Sequence, residues 1–184
     1  MKSLIASLRL TIATLLVVVA GYTAVLLGFA KIVTPATAEG SLLQGLDGKI
    51  VGSRLIAQKF TQPKYFWPRP SAADYNASAT GGSNKSPTSR DLTDRAAKTV
   101  EAYGAMAANP LPADLAAASG GGMDPHITEH AALYQAERVA QARGLTVAQV
   151  QALIEKNAFS PGGFLTPDRL VNVLELNLAL DMTR

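Results

Sequence analysis

The sequence predicts an α+β chain: one N-terminal transmembrane helix followed by a single mixed α/β domain. Residues 10–30 (LTIATLLVVVAGYTAVLLGFA) form a run of 21 residues without a charge, bounded by Arg9 and Lys31. The 154 residues from Lys31 onward suffice for one domain with its own core. Within that stretch short β-branched segments mix with runs of helical periodicity, and no internal repeat is visible.

At about 1.5 Å per residue the uncharged run makes a helix of roughly 31 Å, matching a hydrocarbon core. Lipid offers backbone groups no partners, so such a span is helical. Ala36-Thr37-Ala38 has the A-x-A form of a cleavage site. Signal h-regions, however, run only about 7–15 residues, so the expectation is a retained membrane anchor over residues 1–33. Lys2, Arg9 and the α-amino group precede the span, and Lys31 alone flanks its other end. The positive-inside bias then puts Met1 in the cytoplasm and residues 34–184 in an extracytoplasmic domain. Ala20, Ala24 and Gly28 recur every fourth position, a small-residue face on which a partner helix can dock.

Beyond the anchor, Thr34-Pro35 ends the helix and a polar stretch leads through Gly48. KIVGSRLIAQ (residues 49–58) reads as one or two short strands. Residues 61–90 carry Pro63, Pro68, Pro70, Pro87 and Gly81-Gly82, a long irregular segment of the kind that is functional or disordered. Leu92, Ala96, Val100, Tyr103 and Ala107 have helical spacing and predict a helix over 91–107, stopped by Asn109-Pro110. A second helix is expected over 128–143, closed by Gly144, and a third to about Asn157, opened by the capping box Thr146-x-x-Gln149. In 171–180 the alternation of Leu174, Leu176, Leu178 and Leu180 competes with the helix start Asn172-x-x-Glu175. The expectation there is a short strand passing into a helix.

Composition limits the chemistry. With 48% hydrophobic residues the chain is not disordered. Its 17 Lys+Arg and 14 Asp+Glu give +3, and since all acids follow Lys31 the domain is nearly neutral, with no basic stripe for nucleic acid. Helices over 128–143 and 146–157 mimic a helix-turn-helix, yet the second holds only Lys156 as a cation. Without cysteine, thiolate chemistry and Cys-based zinc sites are excluded. Neither a G-x-x-x-x-G-K-[ST] loop nor a G-x-S-x-G elbow occurs, and no phosphorylatable Asp-Lys-Thr is present. An enzyme on this chain alone is not expected. His126 and His130 are four apart, a spacing that two metal ligands on a helix use, but Pro125 sets His126 ahead of the helix start. No third ligand is dictated, and no metal site is expected. Asn76-Ala77-Ser78 and Asn84-Lys85-Ser86 fit the glycosylation sequon without other support.

Two segments invite contacts. Tyr65-Phe66-Trp67 places three aromatics together before Pro68-Arg69-Pro70. Such residues dominate protein interfaces. Equally, Phe66 and Trp67 can pin the long irregular segment to the core, leaving Arg69 for an interface. Ser119-Gly120-Gly121-Gly122 has the composition of a backbone nest for an anion, or of an ordinary surface loop.

Together, the single anchor, YFWPRPSAADYN (65–76) continuing to Gly81-Gly82-Ser83-Asn84, ASGGGMDPHI (118–127) and VNVLELN (171–177) resemble the C subunit of the bacterial Kdp-type potassium-transporting ATPases, end to end. Gln135, Arg138, Val139 and Ala140 fit that family's Gln-x-x-Arg-Val-Ala stretch; Glu137 stands where the family often has Pro. The resemblance implies a non-catalytic subunit of an ATP-driven potassium uptake complex in the bacterial inner membrane. Its implied partners are a potassium-conducting channel-like subunit, a P-type ATPase subunit and a small single-helix subunit. It also implies a role as a catalytic chaperone raising the ATP affinity of the ATPase subunit, with Gln135, Ser119, Gly120 and Gly121 as nucleotide contacts. ATP would then be met only through that partner. A second implied role is an extracytoplasmic cap on the conducting subunit. The orientation argument favours the cap, because it separates Gln135 from cytoplasmic ATP by the bilayer. A stand-alone, membrane-anchored ligand-binding module of the cell envelope is the alternative without the resemblance.

Overall fold

The first element is a continuous helix over Lys2–Val33. In the computed structural model, which describes residues 1–166 and 168–183, α1 (Lys2–Thr14) passes into Leu15–Gly21, where hydrogen bonding widens to i→i+5, and then into α2 (Tyr22–Val33). The wide turn contains Val17, Val18 and Val19, whose branched side chains crowd the preceding turn of an α-helix. Its 32 residues make a helix of about 48 Å, so the expected span over 10–30 lies inside a helix that begins eight residues earlier. None of its residues is buried, and an apolar helix with no protein cover needs lipid around it. Thr34 breaks the helix, and Pro35 opens the short α3 (Pro35–Ala38).

Contact within the chain divides it into Met1–Leu42 and Leu43–Arg184. Leu42–Gln44 (β1) and Ile50–Ser53 (β2) form a two-stranded sheet whose turn is tied by Gly45 N–H donating to the Lys49 carbonyl at 2.9 Å. β1 falls where only a polar lead-in was expected; β2 matches the β-branched start of 49–58. β2 ends at Ser53, short of the strand expected to Gln58, and from Arg54 to Ser89 no helix or strand forms, as the prolines predict for 61–90. α4 (Arg90–Tyr103) then stops at Gly104 in the left-handed conformation, φ 62°. The expected continuation to Ala107 fails because a left-handed glycine ends a helix more readily than the later Asn109-Pro110.

α5 (Ala113–Ala116) is a single turn. β3 (His126–Thr128) pairs antiparallel with β4 (Leu170–Asn172), register Ile127 opposite Val171. Thr128 caps α6 (Glu129–Arg143), and Gly144 at φ 67° closes it. α7 (Val147–Asn157) opens with the predicted capping box, Thr146 and Gln149 bonding each other's backbone. Gly163–Leu165 is a 3₁₀ turn. β4 then runs directly into α8 (Val173–Met182), capped by the Asn172 side chain, so the ambiguous tail is a strand followed by a helix.

The core lies where α6, α7 and α8 meet the β3–β4 pair. α6 buries Ala131, Ala132, Ala136 and Ala140 beside Val139, and these small side chains let its neighbours approach closely. Val150 and Ile154 of α7, Leu176 and Leu180 of α8, and Phe66 and Leu115 complete it.

Candidate functional site

The aromatic segment enters through a turn at 63–64, closed by Tyr65 N–H donating to the Gln62 carbonyl at 3.1 Å, and from 66 to 70 it forms no helix and pairs with no strand. Buried main-chain groups need partners, and here helix side chains provide them. Asn177 of α8 accepts from Phe66 N–H at 2.8 Å and donates to the Phe66 carbonyl at 3.0 Å. Gln135 of α6 does the same for the next residue, accepting from Trp67 N–H at 2.8 Å and donating to its carbonyl at 3.1 Å. Arg138 Nη1 donates to the carbonyls of Pro63 (2.6 Å) and Tyr65 (3.0 Å), and Arg143 Nε to that of Lys64 (2.8 Å). Five successive carbonyls, 63 to 67, are therefore capped by α6 and α8 side chains.

Side-chain contacts lock the same segment. The Phe66 ring is fully buried in the core. The Arg138 guanidinium lies 3.9 Å from the Trp67 ring centroid, and Tyr103 meets that ring edge-on at 5.1 Å. Arg143 donates to Asp181 at 2.7 Å, and Tyr65 Oη donates to the same carboxylate at 3.2 Å. Burial, with Asp181 adding to it, raises the Tyr65 phenol, so it stays a donor at neutral pH. Burial lowers the Arg138 guanidinium to about 10, which leaves it charged at neutral pH.

These contacts define what the expected nucleotide-contact residues do in this fold. An amide side chain has two donor hydrogens and two acceptor lone pairs. Gln135 is 1% exposed. Its Nε2 donates to the Trp67 and Ala131 carbonyls, and its Oε1 accepts from Trp67 N–H and, at 2.7 Å, from Arg138. All four positions are filled within the domain. Ser119 is likewise buried; its N–H donates to the Pro70 carbonyl, and its Oγ accepts from Asp124 N–H. Gly121 offers its carbonyl to Gly81 N–H, and Gly122 N–H donates to the Ser119 carbonyl. The 119–122 loop thus packs against 70–73 and 80–82, with Gly120 exposed at its tip.

Of the interface candidates, Phe66 presents no surface, while Tyr65 and Trp67 are half-buried. Arg69 turns inward, donating to Asp124 and to the Ala118 carbonyl, both at 3.4 Å. Asp124 also accepts from His126 N–H at 3.0 Å and contacts its Nδ1 at 3.2 Å. These contacts with His126, ahead of Arg69, hold the Asp124 carboxyl below its ordinary range. His126 lies on β3 and His130 on α6, so the two do not share a helix face. No group of three or more His, Asp or Glu side chains that could hold a metal ion occurs among the described residues. Ala20, Ala24 and Gly28 are all exposed on the N-terminal helix.

Sequence reasoning did not find Asn177, Arg143 or Asp181. Asn177 had a signal: it is the single amide in the apolar run VLELNLAL, where a core-facing polar group needs a partner.

The comparisons with known proteins cover the whole architecture. Residues 4–182 match the family model described as KdpC: K+-transporting ATPase, c chain. A potassium-transporting ATPase KdpC subunit of Parvibaculum lavamentivorans is 64% identical over 98% of this chain and 97% of that protein. KdpC subunits of Citrifermentans bemidjiense (46%, over 87% and 86%) and Burkholderia vietnamiensis (44%, over 98% and 97%) are similar along nearly the same length.

Proposed function

The chain belongs to the KdpC family of potassium-transporting ATPase subunits, and from that premise we propose that its folded unit is an extracytoplasmic brace on the transport complex. As a family member it is a membrane-anchored accessory subunit, not the catalytic one. The brace would assemble and stabilise the complex, holding a potassium-conducting channel-like subunit together with the P-type ATPase and small single-helix subunits in the bacterial inner membrane. Lys2, Arg9 and the α-amino group favour a cytoplasmic N-terminus, which leaves residues 34–184 outside.

One observation carries the preference for bracing over direct nucleotide contact: Gln135 makes its four hydrogen bonds inside the domain. Reaching a nucleotide would break bonds to a buried strand-like segment. ATP then meets the complex at the ATPase subunit, and any effect of this chain on ATP affinity acts through assembly. The stand-alone envelope module has no support from a family match that covers the chain end to end.

The test uses the absence of cysteine. A single Cys at exposed Lys98 or His130 is expected to react with a membrane-impermeant maleimide on intact cells. Labelling only in inverted vesicles would reverse the orientation. In parallel, Gln135→Ala is expected to leave ATP affinity unchanged wherever the complex is recovered whole; weakened ATP affinity in a fully assembled complex would sink the brace reading.

A further inference from the structure

Arg95 on α4 is half-buried, and its Nε is shut off from solvent without an acceptor. Among the described residues its guanidinium makes no ion pair and donates no hydrogen bond. Arg69 also has an unpaired Nε, but its two Nη groups are bonded; Arg95 has nothing. A buried donor without an acceptor is unfavourable, and the groups an outside ligand can meet are the two Nη, which are not shut off from solvent and have no protein acceptor among the described residues.

The guanidinium stands at the junction of two adjoining hollows. One, of about 420 Å³, is a trough between α4 and α5, lined by Leu92, Ala96, Ala113 and Ala116. The other, of about 290 Å³, is polar, with Lys85 and Asp91 in its wall and Ser83 shared between the two. Lys85 is already bonded to Asp91 at 2.7 Å. Two cations against one carboxylate leave a surplus of one positive charge, held by Arg95.

We propose that this α4–α5 trough seats a segment of another subunit of the transport complex, laying small or apolar side chains on the alanine floor and one carboxylate on Arg95. A single surplus charge suits a monoanionic carboxylate better than a phosphate dianion, and Arg binds carboxylates through paired N–H groups. The floor of alanine methyls is shallow, so it fits a polypeptide surface and lacks the depth to enclose an acyl chain. This inference rests on the reading of the chain as a complex-assembling subunit.

The experiment compares wild type with Arg95→Met, a change of similar length without charge, in the full chain. Co-expressed with the other subunits, the variant should be retained in the purified complex at least about thirtyfold less than wild type, the lower end expected for truncating a desolvated charge pair. The isolated full chain in detergent should keep or raise its Tm, because an unpaired donor has been removed. Unchanged retention overturns the proposal, and so does a Tm that falls, since that marks an internal partner for Arg95. Placing p-benzoylphenylalanine at exposed Ala117, on the trough rim, should yield an adduct with a partner-subunit peptide containing Asp or Glu. An adduct with lipid, or none in an assembled complex, overturns it. Wild-type chain that never co-purifies sinks the parent reading instead.

Discussion

Gln135 and Trp67 exchange two hydrogen bonds, the amide of one pairing with the N–H and the C=O of the other as a neighbouring strand residue would. Asn177 repeats the pattern on Phe66 from a different helix. A segment that prolines bar from a central strand is thereby held as though it were one. Four main-chain groups, buried at Phe66 and part-buried at Trp67, depend on two side chains.

The first prediction concerns that dependence. Gln135→Ala or Asn177→Ala leaves a buried N–H and C=O unpaired, and each should destabilise the chain by about 2 kcal/mol or more. Because both hold one segment, releasing it once removes most of what the second amide does. The double variant should fall short of the summed loss by at least about 0.5 kcal/mol. Urea unfolding of the four proteins measures the cycle, and strict additivity would show that the two amides act on separate units.

The clamp also shows what was legible in the sequence. Local signals were enough for α7, where Thr146 and Gln149 sit three apart, and for the α6 terminus at Gly144, because those interactions close within one turn. For Phe66 and Trp67 they offered both an interface role and the pinning of the irregular segment, without deciding between them. They were insufficient for β3, three residues whose pairing with β4 spans more than forty positions. The Asn177–Phe66 pair is separated by 111 positions, and no local pattern encodes it. Arg69 is a related case: next to prolines and aromatics it reads as an interface cation, and nothing local signals its contact with Asp124, 55 positions away.

Acid should loosen the Arg69–Asp124–His126 junction. The Asp124 carboxyl is held below its ordinary value by hydrogen bonding to His126. With the folded value lower than the unfolded one, its contribution is complete above about pH 4 and is lost as pH falls through the folded value. Asp124→Asn should therefore flatten the acid side of a Tm-against-pH curve while lowering Tm at neutral pH. A variant curve parallel to wild type below about pH 4 would place the acid sensitivity elsewhere.

The glycine loop separates packing from contact. Gly122 has φ +72°, and a Cβ there would lie 2.8 Å from the Gly81 carbonyl oxygen and 3.0 Å from the Ala73 Cβ. Gly122→Ala should cost more than about 1 kcal/mol. At Gly120 the added Cβ meets nothing within 4 Å, and Gly120→Ala should change stability by less than about 0.5 kcal/mol. On the brace reading, Gly120→Ala also leaves ATP affinity of the assembled complex unchanged. Loss of that affinity with normal Tm would make the loop tip a nucleotide contact.

The N-terminal helix offers the last test. A Cβ added at Gly28 meets nothing within 4 Å, so nothing in this chain's own packing requires glycine there. Glycine in a helix interior costs about 0.5–1 kcal/mol relative to alanine, and a bulkier residue should be harmless to the helix itself. If Ala20, Ala24 and Gly28 face a partner helix, their small size matters only in the complex, where it allows the backbones to approach. Ala24→Leu and Gly28→Leu should then reduce recovery of the assembled complex, whereas Val25→Leu, which replaces one exposed apolar side chain by another, should not. Equal recovery of all three variants, with each chain still in the membrane, would assign this face to lipid and leave the domain to carry assembly.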